Sequence, residues 1–144
     1  MTRALSSETL HATTISVGGR AVLLCGPSGA GKSDLALRLI DRGAVLVSDD
    51  TTLVKRIDGR LVATCPATIA GKMEVRGLGI IAMPHIDEAS VALVADLSDI
   101  VERMPLEQVH RAIAGMQVPV VRIVPHEASA PIKIELALKT LGQS

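Results

Sequence analysis

AVLLCGPSGAGKSDLALRLIDRG, residues 21–43, decides how the chain is read. Ala21 to Cys25 form a short, uniformly apolar run, the pattern of a strand buried on both faces of a sheet. The run leads straight into Gly26, Pro27, Ser28, Gly29, Ala30, Gly31, Lys32 and Ser33, a complete G-x-x-x-x-G-K-S phosphate loop. Its glycines permit positive φ and let backbone N–H groups converge on phosphate oxygens. Lys32 supplies a point charge for the outer phosphates, and Ser33 offers a hydroxyl to Mg2+. Behind the loop, Leu35, Leu39 and Ile40 fall on one helical face and Gly43 is a good C-terminal stop. The N-terminus of that helix adds its own partial positive charge. A buried strand before the motif and an amphipathic helix after it distinguish the loop from a chance glycine-rich turn.

Working outward, ISVGGRAVLLC (15–25) is a strand candidate with a Gly18–Gly19 turn ahead of the apolar run, and AVLVSDD (44–50) is a second buried strand ending in two acids. Strand, loop, helix and strand form a βαβ unit, which the right-handed crossover rule predicts to be a parallel pair. TLVKRIDGRLVATC (52–65) reads as a hairpin turned at Asp58–Gly59. MEVRGLGIIAM (73–83) carries apolar residues between glycines, and VALVADL (91–97) is another buried strand. Residues 99–115 are polar and helix-like, interrupted by Pro105; VPVVRIV (118–124) is a strand, and APIKIELALKTLG (130–142) is a strand or a helix. No repeat, linker or low-complexity tract appears. The expectation is one mixed α/β domain over residues 1–144, a P-loop NTPase-like mixed sheet with flanking helices.

Composition narrows the function. At 144 residues the chain suits one domain, since compact domains run from roughly 50 to 250 residues. An apolar content of 48% supports a real core and argues against disorder. Fifteen basic and fifteen acidic residues cancel, so no global electrostatic footprint for nucleic acid exists. Phe, Trp and Tyr are absent, which removes the platforms on which bases stack. Cys25 and Cys65 lack zinc-site spacing and read as small buried hydrophobes. The first residues hold no apolar signal-peptide core, and no stretch approaches the about 20 apolar residues a membrane helix needs. A cytoplasmic protein with no membrane partner is expected.

An acid must complete a metal site beside the loop, and two apolar runs end in one: VLVSDD at Asp49 and Asp50, and VALVAD at Asp96. Asp49 and Asp50 are better placed, directly after the loop helix. At a frayed strand end both side chains reach the nucleotide, one for metal and one for a substrate hydroxyl. Asp96 reads instead as a helix N-cap or loop residue. No NKxD guanine-specifying motif is present, yet loop and composition alone leave several phosphotransferases open.

GPSGAGKSDLALRLIDRGAVLVSDD followed by MEVRGLGII resembles the catalytic domain of the bacterial HPr kinase/phosphorylase family, which carries a similar loop, then "RG…LV.DD", then "E-[VI]-R-G-L-G-I". The likeness runs more weakly from about Thr9 to Leu138. It implies a fold similar to the nucleotide domain of phosphoenolpyruvate carboxykinase, and ATP-dependent phosphorylation of a serine on the phosphocarrier HPr, with phosphorolysis as the reverse reaction. Gly26 to Ser33 would hold ATP. Ser33 and Glu74 would bind Mg2+ with Asp49 beside the metal shell, and Lys32 would hold the transferred phosphate. Asp50 would act as general base in the kinase direction and general acid in phosphorolysis. The family's early active-site histidine matches His11, and its mobile-loop arginine is best matched by Arg103. Arg76 would pair with a phosphate, fix the loop or form an ion pair with Glu74 or Asp49. A homo-oligomer, hexameric in the family, is implied.

Three departures bear on phosphorolysis, assembly and control by metabolites rather than on phosphate binding. Only 25 residues precede Gly26, so a short form without the family's N-terminal domain is expected. The loop after EVRGLG is shortened, and the family's Pro-Gly-Arg element reads Pro125-His126-Glu127. His85 and His110 read as solvated or structural, and the methionines as gap-fillers. A small-molecule P-loop kinase and a non-catalytic ATP sensor are the rival readings.

Overall fold

The computed structural model describes residues 6–143. In chain order the strands are β1 (Ser7–Leu10), β2 (Ala12–Val17), β3 (Arg20–Cys25), then helix α1 (Lys32–Asp41) and strands β4 (Val45–Ser48), β5 (Thr52–Ile57) and β6 (Arg60–Thr64). A short 3-10 turn (Ala67–Ile69) leads to β7 (Lys72–Val75), β8 (Gly79–Ala82), β9 (Glu88–Leu97), β10 (Val109–Ile113), β11 (Met116–Ile123) and helix α2 (Ala130–Leu141). Nine strands form the main sheet, in the order β1-β5-β6-β9-β3-β2-β4, with β11 on β9 and β10 on β11; β7 and β8 form a separate hairpin. The mixed α/β expectation is met.

Long β9 organises the sheet. Along one edge it runs parallel to β3; along the other its first half pairs antiparallel with β6 and its second half parallel with β11. The sheet splits there and curls. Each residue on β3 alternates between two cores, which explains the uninterrupted apolar run. Val22 and Leu24 join Leu35 and Leu39 of α1 and Ile134 and Leu138 of α2. Leu23 and Cys25 join Val47, Val54, Leu61 and Val118 on the opposite face. Each fully buried Leu or Val contributes about 1.5–3 kcal/mol, and the core needs no aromatic ring.

Two expectations require correction. β3 and β4 are not a pair: β2 lies between them, antiparallel to both, so they run the same way without touching. The crossover rule governs handedness, not adjacency. The tight turn at Gly18 (φ 58°) and Gly19 (φ 87°) pairs β2 with β3, so that edge of β3 is already filled by the neighbouring strand in sequence and β4 pairs beyond it. Residues 99–115 hold no helix. Residues 98–108 are an exposed connection, and Val109–Ile113 pair with Met116–Val120 through an Ala114–Gly115 turn with both φ positive. Pro105 cannot serve a helix interior, and available cross-strand partners outweigh a weak helical pattern. The closing segment, open between strand and helix, is α2, with Pro131 in its first turn. The hairpin at Asp58–Gly59 forms as expected.

Candidate active site

The phosphate loop connects β3 to α1 across the end of the sheet. Gly29 and Gly31 take φ of 83° and 100°, and a Cβ on Gly29 would project into open space. No side chain caps α1, so its first-turn N–H groups, which lack intrahelical acceptors, remain available to an anion. Lys32 is buried, and its Nζ donates to the carbonyls of Gly26 (2.7 Å) and Pro27 (3.0 Å). The ammonium thus sits inside the loop. Phosphate oxygens are charged acceptors that compete well with these neutral carbonyls.

The two acids at the end of β4 diverge. Asp49 is buried and accepts from the Ser33 hydroxyl (2.8 Å), the Thr13 hydroxyl (3.1 Å) and the backbone N–H of Glu74 (3.0 Å). One carboxylate therefore ties together β2, α1 and β7. Asp50 points outward, and its Oδ1 lies 2.7 Å from His11 Nε2. A carboxylate only accepts, so the proton of this bond sits on Nε2. His11 stands at the break between β1 and β2, which turns its ring towards the end of β4.

A cavity of about 500 Å³ brings together Lys32, Ser33, Asp49, Asp50, Glu74 and Arg76. Ser33, Asp49 and Glu74 present hydroxyl and carboxylate oxygens, a donor set suited to a hard divalent cation. Glu74 and Arg76 arrive on the β7–β8 hairpin, whose root is held by the Met83 N–H to Gly71 carbonyl bond (2.8 Å) and by Met73, fully buried against the core. His85 is exposed; its ring lies against Gly71 and its backbone forms an isolated bridge to Leu46. His110 is exposed, on strand β10 rather than on a helix.

Other residues fall elsewhere. Arg103 lies in the exposed 98–108 connection, outside the residues lining this cavity. Arg76 forms no ion pair among the described residues, so the pairing with Glu74 or Asp49 is not made. Asp96 is neither cap nor loop. It stands in β9 opposite Cys25, because the strand continues to Leu97. Cys25 is buried, which pushes its thiol pKa up, while the guanidinium of Arg111, whose Nη1 donates to Sγ at 3.6 Å, pulls it back. Cys65 is partly buried, which corrects the expectation that both are core residues: it lies just past the end of β6, outside the sheet.

Sequence reasoning passed over two features. One is Thr13, buried in β2 together with the hydroxyl residues Thr14 and Ser16; hydroxyls inside a strand that is otherwise Ala, Ile and Val were the available signal. The other is a second cavity, about 630 Å³, on the far side of the loop, walled by Leu97, Ser98, Asp99, Pro125 and His126. Arg38 of α1 holds that wall, donating to the carbonyls of Pro125 and Glu127. No spacing in the sequence links residues so distant along the chain.

Comparison with known proteins places these features in a family. Residues 3–140 match the model of the HPr serine kinase C-terminal domain. HPr kinase/phosphorylase of Clostridium tetani is 43% identical over 105 residues, covering 72% of this chain and 34% of that protein. The protein of the same name from Leptospira biflexa is 36% identical over 152 residues, covering 94% of this chain and 47% of its own length. The chain thus spans less than half of these curated relatives. The solved structure of the Hpr(Ser) kinase/phosphatase from Coxiella burnetii superposes with a TM-score of 0.79 at 30% identity, over 92% of this chain and 89% of that one. With loop, paired aspartates and EVRGLG hairpin all inside the matched span, the chain belongs to the HPr serine kinase C-terminal domain family.

Proposed function

We propose that this domain is an ATP- and Mg2+-dependent protein kinase that phosphorylates a serine of the phosphocarrier HPr. The observation that carries the proposal is the position of Asp50: it lines the same cavity as Lys32 and Ser33, and among the described residues its carboxylate is bonded to His11 alone. A base so placed takes the proton of an incoming serine hydroxyl as the hydroxyl oxygen bonds to the terminal phosphorus and the bond from that phosphorus to the ADP oxygen breaks. His11 keeps the carboxylate oriented through Nε2–H. Lys32 leaves the Gly26 and Pro27 carbonyls for the transferred phosphoryl group and balances its charge. Ser33, Asp49 and Glu74 would hold Mg2+, which supplies charge neutralisation between the phosphates when bound. The backbone N–H groups of the loop from Ser28 to Ser33 bind the nucleotide tail.

On this reading the enzyme works in the cytoplasm as a homo-oligomer, serves control of the sugar phosphotransferase system, and runs in reverse with inorganic phosphate. Labelled ATP, Mg2+ and purified HPr, incubated with the chain, test the proposal; phosphoserine on HPr is the expected product. Transfer to small metabolites instead of HPr would replace this reading with a small-molecule kinase. Nucleotide binding without any transfer, unaffected by Asp50→Asn, would replace it with a sensor. Excess phosphate added to phospho-HPr tests the reversal.

A further inference from the structure

One buried hydroxyl stands between the two aspartates. Thr13 of β2 is fully buried and lines neither cavity. Its Oγ1 donates to Asp49 Oδ1 at 3.1 Å and accepts from the Asp50 backbone N–H at 3.0 Å. A hydroxyl has one proton to give and lone pairs to accept with, so both bonds form together.

Asp50 needs such support. Its φ is 64°, in the left-handed region. The Thr51 N–H donates to the Asp49 carbonyl at 2.7 Å, which makes Asp50 the centre of a three-residue γ-turn of the positive-φ kind. That turn is rare and strained, and strain of this sort persists only where the surroundings over-determine it. Here Thr13 holds the Asp50 amide from one side, and the Ser48 hydroxyl donates to the Thr51 carbonyl from the other. The result is that Asp49 turns inward to Ser33 while Asp50 turns outward to His11.

We propose that Thr13 is a positioning residue for phosphoryl transfer: its hydroxyl holds Asp50 in the left-handed turn and so keeps the Asp50 carboxylate at the cavity beside Lys32. The proposal rests on the kinase reading above for its functional consequence, and on the turn alone for its structural one. Asp49 keeps the Ser33 and Glu74 bonds without Thr13, whereas the Asp50 amide loses its partner.

Thr13→Val removes the hydroxyl and keeps the branched shape. In the HPr assay it is expected to lower kcat by about a hundredfold, the scale of a 1 Å misplacement, with the KM for ATP little changed. Thr13→Ser, which keeps the hydroxyl, is expected to restore kcat to near wild type. Wild-type kcat in Thr13→Val, or Thr13→Ser as slow as Thr13→Val, overturns the proposal. Should Thr13→Val not fold, Thr13→Ala carries the same expectation. A crystal structure of the folded variant is the activity-independent arm: Asp50 should leave positive φ and lose its contact with His11, and an unchanged turn overturns the proposal. If wild type fails to phosphorylate HPr, the kinase reading falls, and this crystallographic arm still decides what holds Asp50.

Discussion

The floor and the rim of the cavity use the same side chain in opposite ways. On the floor, Asp49 is buried and accepts from two hydroxyls and one backbone amide, so its charge organises three elements of the fold while one lone pair stays open to a cation. On the rim, Asp50 is 64% exposed in its side chain and, among the described residues, has one side-chain partner, His11. Burial gives an acid a structural share in its site, because leaving any of its neighbours unsatisfied is costly. Exposure leaves an acid available to a substrate proton. Adjacent residues reach such different fates because a strained turn separates them.

The sharpest way to break this contrast is to substitute the rim. Asp50→Asn is expected to slow phosphoryl transfer to HPr by about 10²–10⁴-fold, the range for a positioned proton acceptor, while the melting temperature stays put. A melting temperature that falls as far as in Asp49→Asn would end the distinction. The floor substitution Asp49→Asn should lose activity and also about 1–3 kcal/mol of stability, since a buried amide cannot satisfy the same three donors; denaturant titration measures it. His11→Gln belongs to the rim and should lower kcat about tenfold without destabilising the fold, as exposed ion pairs contribute only about 0–1 kcal/mol. Arg103→Ala sharpens the picture at the small end: nucleotide affinity, followed by calorimetry, should not change. A clear loss would mean that the 98–108 connection folds over the loop.

Residues near the loop were the most legible part of the chain. The Gly26–Ser33 motif, the α1 face of Leu35 and Leu39, and the hairpin turn at Asp58–Gly59 all follow local rules that repeat in every context. The 98–113 stretch was not legible, because a polar segment with mixed periodicity becomes helix or strand according to the partners it meets. Val109–Ile113 met β11. Likewise the order of β3, β2 and β4 depends on the Gly18–Gly19 hairpin, which fills the edge of β3 with β2.

By itself, the sequence determined that a phosphate cradle sits between a buried strand and a helix, that acids follow the next strand, and that the core is wholly aliphatic. These features are set by neighbours within a few residues, where backbone sterics and side-chain spacing suffice. Only the tertiary structure decided that Asp49 turns in and Asp50 out, that His11 meets Asp50, and that Thr13 stands between the acids. Those outcomes depend on strands brought together across 36 to 39 positions of chain, and hydrogen-bond geometry at that range exists only once the sheet has closed.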